Sequence, residues 1–243
     1  MHRGCVASRP YHAIRIDDVK RFERLDEATA PDGTVLTLYR HDGAYFIRVD
    51  GVELMSTRRY HSEEALAEQL CAPLQHRPAA RVLVGGLGLG FTLRAALRSL
   101  GADARVVVAE IVAAVIAWNE NPDYPLAGAA LRDARVELRH DDVAHVLQQS
   151  PGLFDAIMLD VDNGAGPLTT AGNARLYRDA GIEMAVAALR PGGRVAYWSA
   201  ERDLEFERSL RRAGLTVTVT RVRAHAASRR WHVLFLAERP VLQ

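Results

Sequence analysis

Arg81-Val82-Leu83-Val84-Gly85-Gly86-Leu87-Gly88-Leu89-Gly90-Phe91-Thr92-Leu93-Arg94 is the stretch that decides the architecture. A short apolar run enters a turn containing four glycines, and helical spacing begins at about Phe91. Glycine lets the backbone turn tightly and approach a ligand, while the first turn of the following helix offers unpaired amides and a positive dipole end. A nucleotide-like ligand is expected at this turn. Such turns also serve merely to pack a helix on a sheet, so the motif needs support from residues elsewhere.

Downstream the same alternation continues. Apolar runs at Arg105 to Ala109, Arg135 to Leu138, Ala156 to Leu159 and Arg194 to Trp198 are separated by helix-capable segments at Ile111 to Asn119, Val143 to Gln149 and Asn173 to Leu189. This predicts an α/β fold with a doubly wound, Rossmann-like parallel sheet. After a helix over Asp203 to Ala213, two β runs, Leu215 to Val222 and Trp231 to Ala237, lie apart by a loop alone, which predicts a terminal antiparallel hairpin. Upstream, Thr34 to Tyr39 and Tyr45 to Val49 flank Asp42-Gly43, the signal for a hairpin, and Asp50-Gly51 starts another turn. Ser62 reads as the cap of a helix that ends before Pro73. The chain therefore divides into an N-terminal antiparallel β unit with a short helix, 1–75, and a catalytic domain, 76–243.

With 243 residues and 49% hydrophobic content, the chain is long enough for a sizeable core. Thirty-one basic and 30 acidic residues leave a formal charge of +1, which argues against nucleic acid or an anionic membrane as partner. Two cysteines cannot build a disulfide framework, and no apolar run reaches the roughly 18 residues needed to span a bilayer. Met1 to Asp18 lacks the apolar centre of a signal peptide, so a cytoplasmic protein is expected. The nine histidines show no metal-ligand spacing, and no nucleophile elbow is present.

The candidate site residues fall at strand ends, where doubly wound folds bind ligands. Glu110 closes the second strand, where a carboxylate can accept hydrogen bonds from both hydroxyls of a ribose. Asp141 and Asp142 follow the third; one can accept from an adenine amino group while the other caps a helix, and the sequence leaves open which. Asp160 ends the fourth strand, placed to hold or deprotonate an amine. Asp162 and Asn163 continue its loop, where turn formation competes with function. Leu189-Arg190-Pro191-Gly192-Gly193 reads as a helix end, a tight turn and a new strand. Tyr60 and His61 precede the Ser62 helix and are candidates to close over the pocket.

The ordered set Val84 to Gly90, Glu110, Asp141-Asp142, Asp160 and Leu189 to Gly193 resembles the class I S-adenosylmethionine-dependent transferases. More narrowly, Thr92-Leu93-Arg94, Leu159 to Asn163 and Asp50-Gly51-Val52 followed by Tyr60-His61 resemble the spermidine synthase (polyamine aminopropyltransferase) family and its methyltransferase relatives. The resemblance implies a seven-stranded sheet with a reversed last strand, and a homodimer. It puts Gly86, Gly88 and Gly90 at the amino-acid end of the cofactor, Glu110 on its ribose, Asp141 or Asp142 near its adenine and Asp160 beside the attacking amine.

The chain departs from the family pattern in two places. The acid that aminopropyltransferases carry in the glycine loop falls at Leu89, and the second Asp of their substrate loop falls at Asn163. Losing two acids from a site built for a polycation shifts the expectation to methyl transfer from S-adenosylmethionine to a small nucleophile, an amine above all. The alternative is an aminopropyltransferase using decarboxylated S-adenosylmethionine. Further readings are a nicotinamide-dependent oxidoreductase and a non-catalytic module that binds a nucleoside cofactor.

Overall fold

The computed structural model describes residues 21–160, 174–225 and 230–241. Four strands, β1 (Glu23–Thr29), β2 (Val35–His41), β3 (Ala44–Val49) and β4 (Val52–Ser56), pair in sequence order as an antiparallel sheet. Asp42 and Asp50 both take positive φ, at 49° and 47°, in the expected turns. β1 escaped the sequence reading because Glu23-Arg24-Leu25-Asp26-Glu27-Ala28-Thr29 is an edge strand with an almost wholly polar sequence. It is tied to the rest of the molecule by Trp118, whose Nε1 donates to Asp26 Oδ2 at 2.7 Å.

The larger sheet is built from β5 (Arg81–Gly85), β6 (Arg105–Glu110), β7 (Val136–His140), β8 (Phe154–Leu159), β9 (Leu189–Ser199), β10 (Thr216–Arg223) and β11 (Trp231–Glu238). Their spatial order is β10-β11-β9-β8-β5-β6-β7, with β11 antiparallel to both neighbours. The doubly wound sheet and its reversed strand are as expected. Helices α2 (Phe91–Ser99), α3 (Ala113–Glu120), α4 (Gly128–Leu131), α5 (Val143–Gln148), α6 (Asp179–Ala188) and α7 (Leu204–Arg212) connect the strands, after α1 (His61–Cys71).

Both faces of the sheet are buried, so alternate residues of one strand enter different cores. Val82 and Val84 join Leu93, Val106 and Met158 on one face, whereas Leu83 joins Val107, Ile157 and Phe235 on the other. Leu36, Leu38 and Ile47 of the N-terminal sheet belong to the first of these cores. Helix α1 packs against α2 and β9, so a boundary near residue 76 separates it in sequence from the elements it rests on.

Two local expectations are corrected. The N-cap of α1 is Tyr60, without a side-chain cap bond; Ser62 lies inside the first turn, and its hydroxyl donates to Glu63 at 2.7 Å. The turn expected at Arg190 to Gly193 is absorbed into β9. The pairing with β8 steps from Phe154↔Leu189 to Ala156↔Arg194, leaving the intervening residues as a bulge with Gly192 at φ 76°.

Candidate functional site at the strand ends

Parallel pairing lines up the ends of four strands. Gly85 faces Ala109 on one side and Leu159 on the other, and Glu110 faces His140. The ladder then continues by one bond at each crossing. Gly86 N donates to Ala109 O, Asp141 N to Glu110 O, and Asp160 N to Gly85 O, at 2.9 to 3.1 Å. Gly86, Glu110, Asp141 and Asp160 thus stand in one row, which is the row read from the sequence.

Two adjoining cavities open there. The smaller, about 170 Å³, is walled by Gly86, Gly88, Glu110, Asp141, Asp142 and Asp160, among others. The larger, about 800 Å³, is reached past the same glycines and includes Met55, Glu63, Phe91, Trp198 and His232 in its wall. Asp160 lines both.

On the smaller side the carboxylates are tied down by local amides. Glu110, 7% exposed, accepts from Leu87 N through Oε2 and from Val112 N through Oε1, each at 2.9 Å. It therefore braces the glycine turn as well as facing the cavity. The ambiguity between the two aspartates is resolved by the cap: Asp142 accepts from Ala144 N at 2.8 Å at the start of α5, and it pairs with Arg175. Asp141 accepts from Asp142 N and from His145, at 2.8 and 3.0 Å. The His145 bond holds the Asp141 carboxyl below the usual range, with the Asp142 amide adding to it.

The glycines have separate tasks. Gly90 caps α2 in the left-handed region, φ 76°, and a Cβ there would overlap Ala127. Gly88, at φ 51°, would meet Met55 Sδ at 2.9 Å, so it is where the N-terminal sheet closes on the turn. Its carbonyl is held by Asn119 Nδ2 at 2.8 Å, and Asn119 Oδ1 accepts from Ala127 N at 3.0 Å. Sequence reasoning saw Asn119 merely as a helix end; a buried amide joining two loops has no local signal.

On the larger side, Thr92 Oγ1 donates to Asp160 Oδ2 at 2.6 Å. Facing the same space is Glu63, in the first turn of α1. Burial pushes its carboxyl up to about 8, and the charge of Asp160 adds to the effect, against the Ser62 hydrogen bond. Trp198 Nε1 is buried without a partner among the described residues, in the wall of this cavity. Leu89 is also buried, 3% exposed, and Arg94 Nη1 donates to its carbonyl at 3.2 Å. Tyr60 and His61 are not among the residues that line either cavity. The Tyr60 ring stacks on Phe91 at 4.5 Å and on His61 at 4.9 Å, so it supports the wall from behind. Asp162 and Asn163 lie outside the described residues. No group of metal-ligating side chains is present among the described residues.

Comparison with known proteins bears on this geometry. The polyamine aminopropyltransferase of Leptospira biflexa is 27% identical over 148 residues, covering 61% of this chain and 50% of its own. Polyamine aminopropyltransferase 2 of Pseudomonas aeruginosa is 31% identical over 155 residues, covering 61% and 41%. The crystal structure of spermidine synthase from Thermotoga maritima superimposes with a TM-score of 0.68 at 16% identity, over 90% of this chain and 74% of that one. The chain is similar in sequence to polyamine aminopropyltransferases over part of its length, and its fold is the Rossmann-like one of the spermidine synthase structures. A probable spermidine synthase from Corynebacterium glutamicum gives 0.61 at 19% identity, over 89% and 79%. No family model matches. The matched region spans about half the length of these curated relatives.

These relatives overturn the expectation of methyl transfer, since the proteins that this chain resembles are named aminopropyltransferases and spermidine synthases. The inference from Leu89 and Asn163 counted acids in the glycine turn and in the loop after the fourth strand. It missed that the packing of α1 on α2 and β9 carries Glu63 into the same cavity as Asp160.

No helix among the described residues is long and apolar enough to cross a membrane.

Proposed function

We propose that this protein transfers the aminopropyl group of decarboxylated S-adenosylmethionine to a small di- or polyamine. The observation that carries the reading is the position of Asp160 in the wall of both cavities, joined on the larger side by Glu53, Glu63, Glu201 and Asp203 against three arginines, Arg59, Arg202 and Arg230. An excess of carboxyls over guanidiniums around one space suits a cationic amine, whose charge relieves the repulsion among the acids.

In this reading the nucleoside lies along the smaller cavity. Gly86, Gly88 and Gly90 shape the turn beneath it, Glu110 accepts from the ribose hydroxyls and Asp141 faces the adenine edge, while Asp142 keeps α5 in place. The acceptor enters the larger cavity. Its nitrogen attacks the carbon beside the sulfonium, the C–N bond forms, the C–S bond breaks with its electron pair passing to sulfur, and the nitrogen loses a proton. Asp160, fixed by Thr92, holds that nitrogen in line, so much of the acceleration comes from positioning in a space shielded from water. Asp162 and Asn163 would extend the acceptor side, and Tyr60 and His61 would keep Phe91 in its wall.

The test is turnover of purified protein with each donor in turn and a panel of diamines and polyamines. Release of the methylthio nucleoside from decarboxylated S-adenosylmethionine is expected. Turnover of S-adenosylmethionine alone, with no product from the decarboxylated donor, would overturn the proposal.

A further inference from the structure

Among the described residues, five acids border the larger cavity. Glu53 pairs with Arg59, and Asp203 caps α7 by accepting from the amides of Glu205 and Phe206, each at 2.9 Å. Asp160 is held by Thr92, and Glu201 stands in the exposed rim. Glu63 is left with the Ser62 hydroxyl, at 2.7 Å, and its own backbone amide, and it makes no ion pair with an arginine among the described residues.

The place of Glu63 follows from the packing of α1. The first turns of α1 and α2 lie side by side: the Tyr60 ring stacks on Phe91 at 4.5 Å, and Arg98 Nη2 donates to Glu64 Oε1 at 2.9 Å. Phe91 follows the glycine turn directly, so α1 sets Glu63 beside the exit of that turn. The turn itself supplies no acid, since Leu87 and Leu89 are buried and Met55 closes on Gly88. Decarboxylated S-adenosylmethionine ends its aminopropyl chain in an ammonium, and an ammonium brought among apolar side chains needs a carboxylate. We propose, resting on the aminopropyl-transfer reading, that Glu63 binds the ammonium end of the donor's aminopropyl chain and so selects the decarboxylated donor. Asp160 keeps its place beside the attacking amine. S-Adenosylmethionine carries a carboxylate on the carbon that bears the ammonium, and Glu63 and Asp160 repel it.

The charges around Glu63 make the binding a proton-linked event. Asp160 at the end of β8 and Glu64 on its own helix favour the protonated carboxyl, and the Ser62 hydroxyl opposes them. From β11, His232 Nδ1 lies 2.9 Å from Ser62 Oγ; burial, with Arg230 and Arg59 adding to it, holds this ring down to about 4, so it carries no charge at neutral pH. When the ammonium arrives, the carboxyl O–H bond breaks, its proton passes to water in the mouth of the cavity, where Val52 and Leu204 are exposed, and an N–H of the ammonium donates to the carboxylate.

Calorimetry in buffers of different ionisation enthalpy tests this without turnover. At pH 6.5 the decarboxylated donor should release about one proton on binding, and its affinity should rise with pH up to about 8. The methylthio nucleoside, which has no ammonium, should release none. Glu63→Gln keeps the shape and should weaken the decarboxylated donor about 10- to 100-fold, abolish proton release and narrow the preference over S-adenosylmethionine. Binding of the methylthio nucleoside in the same variant should stay within about two-fold, which shows the fold intact. Glu63→Asp should recover part of the affinity. Equal binding of the decarboxylated donor by parent and Glu63→Gln would overturn the inference, and so would a loss confined to the KM of the amine acceptor; turnover by the parent would leave the proposed function standing in either case. Proton-linked donor binding with no turnover of any amine would count against the proposed function and leave Glu63 as the ammonium site.

Discussion

The two sides of the site hold the same kind of side chain in opposite surroundings. Beside the smaller cavity, Glu110, Asp141 and Asp142 are each engaged by backbone amides, most of them one or two residues away in sequence. Beside the larger cavity, Glu63 is held by the Ser62 hydroxyl and its own backbone amide, and burial and Asp160 outweigh them. Amide donors favour a carboxylate, whereas desolvation and a neighbouring acid favour the neutral carboxyl. The first side thus favours ionised carboxylates that accept hydrogen bonds, and the second favours a carboxyl that keeps its proton. Pushing apart the pKa values of nearby acids is a general way to separate binding from proton transfer.

Asp160, which borders both sides, gives the largest expected effect. Asp160→Asn should lower kcat by about 10²- to 10⁴-fold with donor binding retained, measured by steady-state rates beside calorimetry. A loss of only a few-fold would remove it from the chemistry. Next comes the turn beneath the donor. Gly90→Ala combines left-handed φ with overlap on Ala127 and should cost about 2–4 kcal/mol in urea unfolding. Gly88→Ala, which meets the flexible Met55, should cost about half as much.

The contrast in protonation can be read from stability. Glu63 titrates at about 8 in the folded chain, against an ordinary value of 4.5. Between these values the folded state binds more protons than the unfolded one, so the contribution of Glu63 is fully present below about pH 4.5 and is lost as pH rises through about 8. Glu63→Gln should flatten that decline, followed as the urea midpoint against pH. Equal slopes in parent and variant would break the comparison. The smallest effect separates the paired aspartates. Asp142→Ala should lose about 1 kcal/mol of stability with its cap, while Asp141→Ala should weaken donor binding more than it affects unfolding.

Much of the wall of the smaller cavity was legible along the chain because its geometry is local. The strand, the glycine turn and the helix are consecutive, and parallel pairing brings equivalent strand ends into one row, so Gly86, Glu110, Asp141 and Asp160 could be placed from the alternation of apolar runs. Which of Asp141 and Asp142 caps α5 was settled only by the backbone angles there, since both residue types and positions suit the task. β1 was missed because an edge strand needs no apolar face of its own. The methyl-transfer expectation, drawn from Leu89 and Asn163, is overturned by the named relatives; it weighed acids by their place along the chain, whereas α1 brings Glu63 into the cavity that Asp160 lines.

The sequence by itself determined the periodicities, and with them the doubly wound sheet, its reversed strand and the glycine turn, because hydrophobic period and backbone freedom are properties of neighbouring residues. Only the tertiary structure decided the wall of the larger cavity. Glu63, Ser62 and His232 come together when α1 settles across β11, and a carboxyl gains its proton affinity from burial and from the charge of Asp160, neither of which exists until the chain has folded.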